Sequence, residues 1–281
     1  MILVTTAGKV GSESARLMAD AGHGVRVLTR NPDAHAALAA AGVEVVEGDL
    51  NNPSSIAKAV QGVASIVLVT PPNAHHEIGV ITAVRGTGIH VTKVTADASA
   101  DSPIARRRDH FRIEQALTSS GLPYTLVRAN AYMQNFLALA PVIARTSTFS
   151  SPTGDGRVGM VDARDVAAML ATIATSPARH TDRTYRASGP ESLSYDDVAV
   201  RLSKVLGRTI THDHISVQDQ VSAMVQMGMP EGVARANAQA LRLFADGDSD
   251  WLSTNVEDVT GRRASPFTQF ATDYRLEFIP N

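Results

Sequence analysis

Two glycines three positions apart, Gly8 and Gly11, stand in Val4-Thr5-Thr6-Ala7-Gly8-Lys9-Val10-Gly11, where an apolar run gives way to a helical pattern. A strand-to-helix turn of this kind lets the backbone approach a pyrophosphate held at the helix N-terminus, so the chemistry to expect is dinucleotide binding. The plainer reading is a tight structural turn, with Lys9 solvated beside it. The usual fingerprint has another glycine three residues before Gly8, where this chain has Thr5. The turn is thus either one residue shorter or uses a threonine hydroxyl in place of a backbone contact. Roughly twenty residues further on, NAD enzymes place a carboxylate for the ribose 2′-hydroxyl. Here the sequence is Val27-Leu28-Thr29-Arg30-Asn31. A planar guanidinium suits phosphate oxygens, so Arg30 favours NADP over NAD, with a solvated arginine as the alternative. Lys93 closes an apolar run, at the kind of strand end where open α/β sheets bind ligands; a snorkelling lysine is the other reading. His212 and His214 flank Asp213 on a short strand and share one face, but two ligands do not make a metal site and no third partner is evident. No metal is expected.

These residues need elements to hold them. Apolar runs at Ile2 to Thr5, Val25 to Leu28, Val43 to Val46, Ser65 to Thr70, Ile89 to Val94 and Tyr124 to Val127 alternate with helical segments, the pattern of parallel βαβ units covered on both faces. Val10, Ser14, Leu17, Met18 and Ala21 fall at helical spacing ahead of Gly22 and Gly24, predicting a helix over Val10 to Ala21. After Tyr132 the alternation ends. A Gly-rich stretch runs from Gly154 to Gly159, Asp162 is placed to cap a helix over Ala163 to Thr175, and Thr184 to Ala187 and Thr209 to His214 have strand character. Ser194 and Asp197 begin a helix with a capping box, and the chain from Ser216 onward is mostly helical. The fold class is a doubly wound, Rossmann-type α/β sheet over residues 1–149 with a smaller lobe over 150–281, the chain passing back and forth between them.

Composition removes several function classes. The 281 residues include 26 Lys plus Arg and 28 Asp plus Glu, a formal charge of -2, so a broad basic field for nucleic acid is absent. The Arg106 to Arg108 run is too narrow to replace it. There is no cysteine, which excludes disulfides, Fe–S clusters, thiolate zinc sites and a cysteine nucleophile. No apolar run approaches the roughly 18 residues of a membrane span, and a cytoplasmic location is the expectation. Val221, Met224, Val225 and Met227 form an apolar stripe that serves either as core or as an adaptable lid.

The chain resembles the NmrA-like branch of the atypical short-chain dehydrogenase/reductases, which includes NAD(P)H:quinone oxidoreductases of the second type. The resemblance rests on the Gly8 to Gly11 turn, Gly48-Asp49-Leu50, Leu68-Val69-Thr70-Pro71-Pro72, and Gly121 to Arg128. It continues through Asn130 to Asn135, Gly154 to Val158, Val161 to Val166, Ser188 to Glu191 and Leu193 to Tyr195. It implies that Thr5, Gly8, Lys9, Val10 and Gly11 surround a pyrophosphate, Arg30 a 2′-phosphate, and Asp49 and Leu50 an adenine. It further implies that Thr70 and Pro71 pass near a ribose, that Lys93 and Thr95 lie closer to the nicotinamide, and that Asn130 and Tyr132 line the nicotinamide and substrate side. A homodimer is also compatible with it.

The proton donor is less clear. Standard short-chain dehydrogenases use a Tyr with a Lys four residues later, and the corresponding helix, Arg106 to Glu114, has no such pair. His110 and Glu114 share a helical face there, so His110 is one candidate donor and a structural brace is the other reading. Tyr132 and Lys93 complete the candidates. Ala129 stands where the family commonly has Pro. The function expected is an NADPH-dependent oxidoreductase passing hydride to a small molecule, a quinone or another conjugated carbonyl such as an aromatic ketone. Two alternatives stay open: a non-catalytic NADP(H)-sensing regulator, and a biosynthetic ketone or imine reductase.

Overall fold

The computed structural model describes residues 1–71 and 73–280; Pro72, the last residue of one of the family motifs, lies outside the described residues. Strands β1 (Ile2–Val4), β2 (Val25–Thr29), β3 (Glu44–Glu47), β4 (Ser65–Leu68), β5 (His90–Thr95), β6 (Tyr124–Ala129) and β8 (Arg183–Ala187) form one sheet in the order β3-β2-β1-β4-β5-β6-β8. All pairings from β3 through β6 are parallel. The chain lays β2 and β3 to one side of β1, then returns to place β4, β5 and β6 on the other. The order therefore reverses between β1 and β4, which is where ligands of open α/β sheets bind, beyond the strand carboxyl ends.

Side-chain alternation assigns the two faces. Leu3, Leu28, Ile66, Leu68, Val91 and Leu126 join one buried cluster with Ile56 of α3 (Pro53–Ala59), Val80 and Ile81 of α4 (Ala74–Ala83), and Ile113 and Leu117 of α5 (Ala105–Thr118). Each such side chain contributes about 1.5–3 kcal/mol by leaving water. Three further helices, α1 (Lys9–Asp20), α7 (Ala163–Thr175) and α11 (Asn255–Thr260), pack in sequence, α1 on α7 and α7 on α11, and α7 also meets β4, β5 and β6. A short α2 (Ala36–Ala40) adjoins β3. The predicted helices are present as α1 and α7, and both sheet faces are covered.

Two compact units result. The first comprises Met1–Ala129, Ala163–Arg186 and Asn255–Arg262; the second comprises Asn130–Asp162, Ala187–Thr254 and Arg263–Asn281. The boundary placed at 149/150 falls inside β7 (Thr148–Ser151), a strand of the second unit. The reason lies in the side chains: residues 133–143 carry Met133, Phe136 and Ile143 into the core of the second unit, while the buried face of α7 belongs to the first.

The second unit is built on aromatics. Phe136 meets Phe149 edge-on at 5.8 Å, Tyr195 at 5.0 Å and Phe267 at 5.4 Å. Around them stand α6 (Ala140–Thr146), α8 (Tyr195–Leu206), α9 (Val217–Gln226), α10 (Glu231–Ala245) and α12 (Phe267–Asp273), and β7 pairs in parallel with β9 (Thr211–His214). The capping box of α8 is formed: Ser194 Oγ accepts from Asp197 N and the Asp197 carboxylate from Ser194 N, each at 3.1 Å. The apolar stripe of α9 divides, with Val221 buried and Met224 packed against Ala234 and Ala238 of α10, while Val225 and Met227 are exposed.

Candidate functional site

The β1–α1 turn is shaped by one close approach. A Cβ on Gly11 would sit 2.1 Å from Thr6 O, so only glycine lets α1 start this near the strand end. A Cβ on Gly8 would meet only Thr6 Oγ1, at 3.9 Å, so that glycine leaves space in front of the helix. Gly8 is the N-cap of α1, with no side-chain cap and no acidic residue in the first turn. The positive end of the helix dipole is left without a competing anion, as an anion site requires. Lys9 is exposed and Val10 buried. Thr5 is buried, and its hydroxyl accepts from Val69 N at 3.0 Å and donates to Val69 O at 3.2 Å. It ties β1 to the segment after β4, and the Thr6 hydroxyl repeats the tie by donating to Val69 O at 2.6 Å. The Thr5 and Thr6 hydroxyls thus fasten the turn from behind.

Arg30 follows β2 as an exposed side chain, close enough to Asp49 for its charge to help hold that carboxyl below the usual range. The larger cause is the hydrogen bond from Asn51 N to Asp49 Oδ1, 2.9 Å. Leu50 is half-buried and packs at the rim of the cluster under the sheet. Thr70 and the exposed Pro71 follow β4. The Gly8–Gly11 turn, Arg30, Asp49 and Thr70 therefore gather at the carboxyl ends of β1, β2, β3 and β4, around the point of strand reversal.

Beneath them lies a buried polar network absent from the sequence-based expectation. Val91, Lys93 and Thr95 alternate onto one face of β5. Lys93 Nζ lies 3.0 Å and 2.8 Å from the two carboxylate oxygens of Glu77 on α4, with neither side chain exposed, and also donates to Val94 O. Thr70 donates to Glu77 as well. Burial lowers the Lys93 pKa and raises that of Glu77, and each is pulled back by the other. Lys93 thus neither snorkels to solvent nor is exposed at the strand end, its ammonium being held by Glu77. Thr95 donates to Glu114 Oε1 at 2.8 Å, and Arg128 binds both oxygens of Glu114, at 3.2 and 2.6 Å. Glu114 therefore serves Arg128 and Thr95 rather than His110. Burial, reinforced by the Lys93 and Arg106 charges, lowers His110 to about 3. A histidine neutral throughout the physiological range is not the cationic donor its spacing suggested.

Asn130 and Tyr132 belong to the second unit. Asn130 is buried and fully engaged: Nδ2 donates to Ser249 O at 3.0 Å, and Oδ1 accepts from Ala131 N at 2.8 Å. A Cβ on Gly159 would lie 2.1 Å from Trp251 O, and Ser188 Oγ accepts from Ser253 N at 2.9 Å. Asn130, Gly159 and Ser188 together clamp residues 249–253, and the Asn130 amide is spent on that clamp. Tyr132 is half-buried, its backbone bridged to Val161, and burial keeps the phenol protonated well above its ordinary pKa. The third partner that His212 and His214 lacked in sequence is Asp196, on the first turn of α8.

A glycine turn at the first crossover, an arginine after the second strand and a strand-order reversal between β1 and β4 define a dinucleotide-type α/β protein. The chain belongs to the NmrA-like family, whose model matches residues 1–270. It is 35% identical over 287 residues to the (4-alkanoyl-5-oxo-2,5-dihydrofuran-3-yl)methyl phosphate reductase of Streptomyces griseus, covering 100% of both chains. It is 33% identical over 286 residues to the NAD(P)H azoreductase of Xenophilus azovorans, covering 99% of each. Among solved structures, the NADPH complex of the Escherichia coli quinone oxidoreductase QOR2 matches with a TM-score of 0.87 at 26% identity, covering 98% of this chain and 100% of that one. By name these relatives are oxidoreductases, and this chain falls within their family. Among the described residues, no helix is long and apolar enough to cross a membrane.

Proposed function

We propose that the protein is an NADPH-dependent reductase that passes hydride to a quinone or another conjugated small-molecule acceptor. The observation that carries this reading is the gathering of the open Gly8 turn and Arg30 on one edge of the sheet, at the strand reversal. The residues fit the cofactor: the space before Gly8 is what a pyrophosphate requires, and Arg30 offers an exposed guanidinium for a 2′-phosphate. Asp49, Leu50, Thr70 and Pro71 border the same edge and would hold the adenosine end. Two relatives named for NADPH or NAD(P)H support the choice.

When bound, the cofactor supplies a hydride. The chain binds and orients. The N-terminus of α1 receives the diphosphate charge, and Arg30 distinguishes the phosphorylated ribose. The Glu77–Lys93 and Glu114–Arg128 pairs stiffen the strand ends beneath. Burial keeps the Tyr132 phenol protonated and His110 uncharged near neutral pH, so neither carries charge there. A quinone makes modest demands here, since a hydroquinone anion is stabilised enough to take its proton from solvent.

Calorimetric titration with NADPH, NADH and NADP, followed by loss of the reduced-nicotinamide absorbance on adding a quinone, tests the reading. Tighter binding of NADPH and its oxidation are expected. Failure of all three nucleotides to bind would remove the cofactor, and binding without oxidation across quinones, azo dyes and enones would remove the reductase.

A further inference from the structure

His212 and His214 occupy alternate positions of β9, so both rings leave one face of the strand. Asp196 reaches them from α8, whose cap is already made by Ser194 and Asp197. Asp196 Oδ1 lies 2.9 Å from His212 Nδ1 and Oδ2 lies 3.3 Å from His214 Nε2, and the three ligand atoms fall within 4.8 Å of one another. A tetrahedral zinc ion separates its ligands by about 3.3 Å, so a small rotation of the half-exposed His214 closes the set.

The back of the site is already organised. The His212 side chain is fully buried, stacked on Phe149 at 5.1 Å and packed beside Tyr195 at 5.7 Å. Its Nε2 lies 2.8 Å from Ser151 Oγ, which in turn lies 2.7 Å from Thr153 Oγ1; both hydroxyl residues are buried. When Nε2–H donates to Ser151 and Ser151 donates to Thr153, the lone pair of Nδ1 faces the Asp196 carboxylate. Across this 2.9 Å gap a proton on Nδ1 or a metal ion in its place satisfies both atoms. A buried acceptor behind a ligating imidazole fixes its tautomer and ring plane, and the Ser151 hydroxyl is placed to serve as one. Two nitrogens and one carboxylate suit zinc and its neighbours, whereas calcium and magnesium want oxygen alone. The half-exposed front leaves remaining positions for water.

We propose that Asp196, His212 and His214 bind one divalent transition-metal ion of the zinc class, which pins β9 to the first turn of α8. A proton occupies the gap between His212 and Asp196 in the metal-free chain, and the metal ion displaces it. The site lies wholly within the second unit and stands independently of the cofactor reading.

The test uses the full chain without a histidine tag, stripped with chelator and titrated with zinc chloride by calorimetry and with cobalt chloride by visible absorption. One zinc per chain, a higher Tm and the intense visible bands of four-coordinate cobalt are expected. Asp196→Asn and His214→Gln change half-exposed side chains that the fold tolerates, and each weakens zinc binding at least tenfold, whereas His23→Gln does not. Absence of saturable zinc binding would overturn the proposal. So would equal affinity in the Asp196→Asn and His214→Gln variants, because other surface histidines would then be the ligands.

Discussion

Lys93→Met removes one partner of the buried Glu77–Lys93 pair and leaves a carboxylate with no exposed surface. Breaking such a pair costs about 3–5 kcal/mol. Glu77 has an escape, since it can take up a proton, and from an ordinary pKa of 4.5 that costs about 3 kcal/mol at pH 7. The loss is therefore about 3 kcal/mol at pH 7, a Tm lower by roughly 6–12 °C, and it shrinks as pH falls toward 5 because protonation becomes cheap. Leu for Glu77 together with Met for Lys93 restores an uncharged core of similar volume, so Glu77→Leu/Lys93→Met regains most of the loss. Thermal denaturation of the three proteins at pH 7 and pH 5 measures both effects. A double variant no more stable than Lys93→Met, or a deficit that does not change with pH, would refute the buried-pair reasoning. If Lys93 also touched cofactor, the double variant would fold well yet lose NADPH affinity.

Other outcomes follow from the same geometry. Arg30→Ala weakens NADPH by about 1–3 kcal/mol, roughly 5- to 150-fold, and leaves NADH unchanged in calorimetry; equal losses would remove the 2′-phosphate contact. Gly11→Ala drives a methyl group into Thr6 O and costs about 3 kcal/mol or more in urea denaturation, whereas Gly8→Ala keeps most of its stability and loses nucleotide affinity. His90 and His110 are buried with pKa lowered to about 4 and about 3, against 6.5 when unfolded. The unfolded chain thus binds protons first as pH falls. Stability is intact above pH 6.5 and declines toward pH 4 at about 1.4 kcal/mol per pH unit for each histidine. The urea midpoint between pH 7 and 4.5 measures this, His90→Gln shallows the slope, and a flat profile would contradict it.

The parallel sheet was legible because its strands are continuous apolar runs, and α7 and α8 because Asp162, Ser194 and Asp197 announce their starts. β7 was not, since Thr148, Ser150 and Ser151 are polar and the partner strand lies some sixty residues downstream. The turn glycines and Arg30 could be read because they are local in sequence. Glu77 was missed although it is the lone carboxylate of the apolar helix α4. That isolation was the available signal for a buried partner, and the alternation of Val91, Lys93 and Thr95 pointed to the same layer. His110 misled because i, i+4 spacing shows that two side chains share a face, but not which third residue claims one of them; Arg128 claims Glu114. Asn130 and Asp196 depend on partners far along the chain, which no local pattern reveals.

The second unit is drawn from three separate stretches, and Phe267, Phe270 and Phe278 of the last one are fully buried in its core. During synthesis, a nascent chain emerged only to residue 262 has its parallel sheet and both covering layers of helices, but exposes the aromatic surface around Phe136 and Phe149. Folding of this unit therefore waits until Phe278 has left the ribosome. For the same reason a fragment ending at residue 149 lacks α7 and uncovers β4, β5 and β6 on one face. Deleting α12 removes Phe267 and Phe270, an aromatic keystone of the second unit.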